Sequence, residues 1–390
     1  MNREAAPLRI LQFNSLLSGG GTDDQCVRLA AGQVRLGHQV WLAGPEGREF
    51  SRVARDLGVP FQALPSEGLL RGRLVLSAAK FIRREHVQVV HGHHGRDLWP
   101  TILAARLSRV RPKVVLTRHL AKSPSSWLSR RFLLGQCDAL IAVSHFVAQV
   151  LREGVYEPNS PEPERRARPP LLGEYSKIRV IHGGIDTARF RPSPAAAQRR
   201  EWGLAPEHFA FGVVGGYFTP RGKGQREFLR AAARLRDKTP RARFLVVGRG
   251  NLKEVLEADI AGLGLGGRAW LTPYCQDMPG AMNALDCLVH PQVGTEAFPG
   301  VVLEALACGK PVVASALDGI PEAFVSGARG RLVTPESIDE LAAAMAAEAT
   351  AAAPSPEERE QLHARVAEGF SLEVNARRVT ELYAQLIHAR

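Results

Sequence analysis

Residues 286–322 read DCLVHPQVGTEAFPGVVLEALACGKPVVASALDGIPE, and the order of residue types in this run predicts a strand, a loop and a helix able to hold an anion. The apolar run 286–290 stops at His290-Pro291, as a β-strand does when a proline follows. A loop carrying Glu296 comes next. Pro299-Gly300 then open a helix predicted over 301–307 and closed by Gly309, because proline suits a first helical turn and glycine a C-terminal cap. Glu304 falls just over one turn inside that helix. The unpaired N–H groups of the first turn, with the helix dipole, form a site for a diphosphate, which predicts donors at Gly300, Val301 and Val302. A carboxylate one turn deeper does not favour phosphate, but it accepts both hydroxyls of a ribose beside it. Glu296 in the approach loop can accept sugar hydroxyls in the same way.

Outward from this run, short apolar strands alternate with helical stretches along the whole chain. Strands are predicted at 8–13, 38–43, 87–91, 113–117, 138–143 and 178–182, and a second series at 209–215, 242–248, 269–272, 286–290 and 311–314. Such alternation implies parallel sheets covered on both faces, and two series imply an α/β chain of two doubly wound domains. Ligands then bind beyond the C-terminal ends of the strands. The 390 residues suffice for two ordinary cores. The boundary is predicted near Pro192, where Arg191-Pro192-Ser193-Pro194 breaks the pattern, and the Pro-rich segment 157–171 is predicted as a loop insertion.

Composition excludes several classes. The N-terminus lacks the apolar core of a signal peptide, and no run of about 18 apolar residues marks a membrane span, so a cytoplasmic protein is expected. The five cysteines are widely spaced with no C-x-x-C pair, which argues against disulfides and structural zinc. The net charge of +12 is local: residues 1–190 hold 28 Lys and Arg against 16 Asp and Glu, and within them 71–131 hold 14 against two, Glu85 and Asp97. A solvated basic surface accounts for this, as does attraction to anionic lipid or an anionic acceptor. For lipid, 71–84, RGRLVLSAAKFIRR, interleaves Leu74, Leu76, Phe81 and Ile82 with Arg71, Arg73, Lys80, Arg83 and Arg84 in the manner of an interfacial helix. Peripheral contact with the inner face of the cytoplasmic membrane is the expectation. No nucleic-acid motif occurs, so no nucleic-acid partner is expected.

Other loops after strands carry candidate ligands. In 212–224, GVVGGYFTPRGKG, Lys223 stands where a strand leads into a helix and can reach a leaving diphosphate, with Arg221 a second cation. Gly19 and Gly20 follow the first strand and precede a helix, where small residues let a phosphate or acceptor approach the backbone. The G-x-G-x-x-G register fails at Asp24, which disfavours a dinucleotide site. His119 closes the strand KVVLT. His91, His93 and His94 lack an accompanying carboxylate cluster, and no Asp-x-Asp triplet occurs, so neither metal nor other cofactor is expected.

Glu296 and Glu304, within GTEAFPGVVLEALACGKPVVAS, match the signature of retaining GT-B glycosyltransferases, most closely family 4 (glycosyl transferases group 1). The resemblance spans nearly the whole chain. It includes SGGGTDDQCVRLAAGQVRLGHQV (18–40), VVHGHHG (89–95), LTRHL (116–120), IAVSHFVAQVL (141–151), VIHGGID (180–186), RGKGQREFLRAA (221–232), FLVVG (244–248) and GIPE (319–322). It implies two Rossmann-like domains facing across a cleft: 1–192, joined by the C-terminal helix 371–390, for the acceptor, and 193–370 for the nucleotide-sugar donor. It implies that Glu304 binds the donor ribose, that Glu296 contacts the transferred sugar, and that His119 touches it too. It also implies metal-independent transfer with retention, from a UDP-linked donor to a glycan or glycolipid acceptor such as those of lipopolysaccharide or another part of the cell envelope. Two departures stand out: Gly216 and Tyr217 occupy the usual arginine region, and Gly183 replaces a usual asparagine. They leave open a catalytically silent nucleotide-sugar-binding protein, while a nucleotide-sugar epimerase would use the same ribose carboxylate.

Overall fold

The computed structural model describes residues 6–65, 71–156, 167–219, 222–273, 275–325 and 327–389. In chain order the elements are β1 (Arg9–Phe13), α1 (Gly21–Arg35), β2 (Gln39–Gly44), α2 (Glu49–Asp56), β3 (Phe61–Ala63), α3 (Arg71–Arg84), β4 (Val89–Gly92), α4 (Leu98–Leu107), β5 (Lys113–Arg118), α5 (Trp127–Gln136), β6 (Ala139–Ala142) and α6 (His145–Glu153). There follow β7 (Val155–Tyr156), β8 (Ala167–Arg168), β9 (Ile178–Val180), α7 (Ala196–Glu201), β10 (Phe209–Val214), α8 (Gln225–Leu235), β11 (Ala242–Val247), α9 (Lys253–Gly262), β12 (Ala269–Leu271), α10 (Met278–Ala284), β13 (Cys287–His290) and α11 (Gly300–Ala307). The chain ends with β14 (Val312–Ser315), β15 (Gly330–Val333), α12 (Ile338–Thr350), α13 (Pro356–Phe370) and α14 (Leu372–His388).

Two compact units result, Met1–Gly184 with Leu372–Arg390, and Ile185–Ser371. The first holds a seven-stranded sheet in the order β3-β2-β1-β4-β5-β6-β9, the second a six-stranded sheet in the order β12-β11-β10-β13-β14-β15. All the pairings within these two sheets are parallel. Central strands such as β10, FAFGVV, are near-continuous apolar runs because helices cover both faces. In each unit the strand order reverses beside the first strand, between β1 and β4 and between β10 and β13. At such reversals neighbouring loops run to opposite faces and leave a crevice for ligands.

Two expectations need correction, and a third lies partly out of reach. The boundary falls at Gly184-Ile185 rather than at Pro192. Ile185 donates to the Phe370 carbonyl at 2.9 Å and bridges to Ser371, and Phe190 is buried with Trp202 and Leu204, so 185–192 already belong to the second core. The insertion predicted at 157–171 lies partly outside the described residues; β7 just before it pairs antiparallel with β8 inside it. Most consequential is α3, whose Leu74, Val75, Phe81 and Ile82 are buried in the first unit's own core. Of the apolar residues read as facing lipid, only Leu76 is exposed. No helix among the described residues is long and apolar enough to cross a membrane.

Candidate functional site

In the second unit the reversal between β10 and β13 places two loops side by side, the one before α8 carrying Lys223 and the one before α11 carrying Glu296. Their side chains meet: Lys223 Nζ lies 2.5 Å from Glu296 Oε2, with Glu296 only 15% exposed. The approach of the loops depends on Gly224, which caps α8 at φ 82° and whose missing Cβ would stand 1.9 Å from the Pro291 carbonyl oxygen. The Lys223 N–H donates to Gln225 Oε1 at 2.7 Å, which fixes the turn. On the other side, the Glu296 N–H donates to Asp318 Oδ2 and the Gly319 N–H donates to the Glu296 carbonyl, both at 3.1 Å.

His290 ends β13, fully buried, with its Nε2 3.9 Å from Glu296 Oε2. Neither ring nitrogen has a hydrogen-bond partner among the described residues. Burial pushes its pKa down to about 4, with the Lys223 charge acting in the same direction and Glu296 opposing, so the ring is neutral. Burial and the nearby Glu296 charge lift Asp318 to about 6, against its bond from the Glu296 amide. Neither His290 nor Asp318 was identifiable from sequence, since each is a single titratable residue at a strand or loop end.

Helix α11 begins at Gly300, with Pro299 just ahead of it and no side-chain cap. Glu304 sits half-buried one turn in. The predicted anion cradle is narrower than expected, because Val302 is fully buried and its N–H already donates to the Pro299 carbonyl at 3.2 Å. Gly300 and Val301 remain as the first-turn amides without an internal partner among the described residues. Arg221 lies outside the described residues.

In the first unit the reversal between β1 and β4 brings the glycine loop beside the HGHH loop. Gly20 caps α1 with open space where its Cβ would be, but the Gly19 amide is engaged, donating to Asp23 Oδ2 at 2.9 Å. The Gly19 N–H is thus engaged within the loop, while close approach to the backbone at Gly19 and Gly20 stays an expectation. Buried Asp23 also accepts from Asn14 Nδ2 at 2.9 Å and faces His94 Nε2 at 2.7 Å. These bonds hold its carboxyl below the usual range against burial, the largest single influence.

His119 follows β5, half-buried, its Nε2 3.3 Å from His93 Nδ1. His93 Nε2 in turn lies 2.7 Å from Gln12 Oε1. His91 is bound to Tyr383 Oη at 2.5 Å and Thr117 Oγ1 at 2.6 Å. The three histidines of the HGHH loop thus have separate partners, one of them on the C-terminal helix α14. Burial lowers all three ring pKa values at His91, His93 and His119, to about 3 for His91 and His119.

The glycine at 183 also has a structural counterpart. Gln25 on α1 donates through Nε2 to the Gly184 carbonyl at 2.7 Å and accepts the Gly184 N–H at 3.1 Å. A Cβ on Gly183 would stand 2.9 Å from Gln25 Oε1. The side-chain amide of Gln25 fills the place where a longer residue at 183 would lie.

Comparison with known proteins agrees with this architecture. Residues 208–349 match the family described as glycosyl transferases group 1, and residues 19–160 match glycosyltransferase family 4. The D-inositol 3-phosphate glycosyltransferase of Mycobacterium marinum is 29% identical over 72% of this chain, and the match spans 62% of that relative's length. Among solved structures, Anabaena HepE in complex with UDP and glucose superposes with a TM-score of 0.77 at 20% identity, covering 97% of this chain and 100% of its own. A glycosyltransferase from Rickettsia africae gives a TM-score of 0.81 at 20% identity, covering 99% and 100%. At that identity the two structures establish the shared GT-B fold.

Proposed function

Because this chain belongs to the group 1, family 4 glycosyltransferases, a family of sugar-transferring enzymes, we propose that it moves a sugar from a nucleoside-diphosphate donor to a glycan or glycolipid acceptor, with retention and without a metal ion. The second unit holds the donor. Gly300 and Val301 amides face the diphosphate at the helix N-terminus, Glu304 accepts the ribose hydroxyls, and Glu296 accepts hydroxyls of the transferred sugar. The bond between the anomeric carbon and the diphosphate oxygen breaks while the acceptor oxygen bonds to that carbon. The acceptor proton passes to the departing phosphate, whose charge Lys223 and the helix N-terminus stabilise. Gly20 and His119 are first-unit contacts. Arg221 is proposed as a second cation from its place in the sequence alone.

The observation that supports this reading most is the Lys223–Glu296 pair, which joins the phosphate-side cation to the sugar-side carboxylate on adjacent loops of one unit. A UDP-linked hexose is the donor we propose; the Anabaena neighbour on the same fold holds UDP and glucose. For the acceptor, the relative named for D-inositol 3-phosphate and the basic first unit both favour an anionic molecule, and we place it in the cell envelope, in lipopolysaccharide assembly or a comparable glycolipid pathway. Arg73, Lys80, Arg83, Arg84, Lys122 and Arg131 are exposed. With the apolar face of α3 consumed by the core, contact with an anionic membrane surface falls to exposed Leu120, Trp127, Leu128 and Phe132, beside Lys122 and Arg131.

Nucleotide release from a panel of sugar nucleotides, each with and without glycan and glycolipid acceptors, tests the proposal. Acceptor-dependent release is expected. Epimerisation of the donor alone would indicate the isomerase, and tight binding without release across the panel would indicate the silent protein.

A further inference from the structure

We infer that His93, backed by Gln12, is a positioning residue that holds His119 in the tautomer with its proton on Nε2, so that Nδ1 is presented as a hydrogen-bond acceptor to a substrate hydroxyl. The inference rests on the proposal that His119 meets the substrate, but the tautomer follows from the first unit alone.

The argument begins at Gln12, on β1. Its Nε2 lies 2.7 Å from Gln33 Oε1 and 3.3 Å from Tyr383 Oη. Gln33 Nε2 in turn lies 3.4 Å from Thr380 Oγ1. In this arrangement the Gln12 amide donates to Gln33 and Tyr383 and turns its Oε1 toward His93. A carbonyl oxygen 2.7 Å from His93 Nε2 requires the proton of that ring to be on Nε2. His93 is fully buried, with His91, His94 and His119 around it, and these together keep it neutral. A neutral ring with its proton on Nε2 has a lone pair on Nδ1. His119 Nε2, 3.3 Å away with the rings inclined by only 25°, must therefore be the donor.

A second branch is consistent with the first. Tyr383 accepts from Gln12, so its own proton goes to His91 Nδ1 at 2.5 Å. That leaves the proton of His91 on Nε2, donated to Thr117 Oγ1 at 2.6 Å. His91 lies against His93 with ring centroids 4.2 Å apart, and neutral rings can be so close without charge repulsion. Burial, His94 and Arg118 keep His119 neutral as well, opposed by Asp23.

The chemical consequence is selectivity at His119. No described residue bonds its Nδ1. A neutral Nδ1 lone pair accepts from a hydroxyl and repels a carboxylate, so this position takes a neutral sugar with a hydroxyl facing it and disfavours both its deoxy analogue and a uronate.

The test is long-range proton–nitrogen NMR of histidine-labelled protein without substrate, with His119→Gln assigning the signal. His119 is expected with Nε2 protonated and Nδ1 bare. In Gln12→Glu the new carboxylate draws a second proton onto His93, whose Nδ1–H then donates to His119 and moves its proton to Nδ1. Gln12→Met instead frees the relay and gives a mixture of tautomers. Both variants should lose about tenfold in kcat/KM, the worth of one hydrogen bond, at unchanged circular dichroism, and Gln12→Glu should add the ionisation of His93 to the pH profile. A wild-type His119 protonated on Nδ1, or one unmoved in Gln12→Glu, overturns the inference. If the tautomers behave as expected but kcat/KM does not change, it is the assignment of His119 to the substrate that fails.

Discussion

Replacing Gly224 with alanine separates the two loops on which the donor site depends. The residue is left-handed, and an alanine there costs about 1–2 kcal/mol for the backbone alone. Its Cβ would also stand 1.9 Å from the Pro291 carbonyl oxygen and 2.6 Å from its carbon, where contacts under 3.0 Å do not persist. The loops must therefore part by about 1 Å. Lys223 immediately precedes the substituted residue, and Pro291 begins the loop of Glu296, so the 2.5 Å ion pair opens. A displacement of about 1 Å at reacting groups lowers turnover on the order of 100-fold. For a unit of this size the backbone strain lowers the midpoint of thermal unfolding by only about 5 °C. Steady-state nucleotide release and scanning calorimetry of Gly224→Ala are the assays, with Gly262→Ala as control, because no atom lies within 4 Å of the Cβ it would add. If Gly224→Ala kept kcat/KM within about twofold of the parent, the close approach of these loops would not be what makes the site.

Three further outcomes follow from the geometry. Lys223→Met preserves length and removes the charge beside Glu296, so kcat should fall about 100- to 1,000-fold in single-turnover assays, and a fall under tenfold would remove Lys223 from the leaving group. His91 is buried neutral with its pKa lowered from 6.5 to about 3. The unfolded chain therefore binds the extra proton first, and stability present above pH 6.5 is lost on acidification toward pH 3, by about 2 kcal/mol at pH 5 from this residue; urea titrations of the wild type and His91→Gln should converge as the pH falls if this holds. On α3, Leu74→Ala should destabilise by about 2–4 kcal/mol and exposed Leu76→Ala by under about 0.5, and the reverse order in urea unfolding would return α3 to the surface.

The fold was legible where strands are buried on both faces, because β1, β2, β4 and β10 through β13 are apolar runs bounded by turn residues. The edge strands β3, FQA, and β15, GRLV, escaped notice, since each is short and carries polar side chains. Glu296, Glu304 and Lys223 were legible from their order along the chain. Their meeting was not, for it depends on β13 lying beside β10, with the partners 73 positions apart in the chain. The same limit hid Gln12 behind His93 and Gln25 behind Gly183, contacts made by sheet order and helix packing rather than by spacing. At α3 the sequence showed an amphipathic helix, and periodicity alone does not say whether the apolar stripe meets lipid or core.

The central claim, that α11 with Glu304 holds the nucleotide of the donor, is tested most directly by calorimetric titration of UDP into the wild type and Glu304→Ala. Loss of the carboxylate that accepts the ribose hydroxyls should weaken binding at least about tenfold, the worth of a hydrogen bond to a charged group, with the fold intact. Equal affinity in the two proteins would contradict the account.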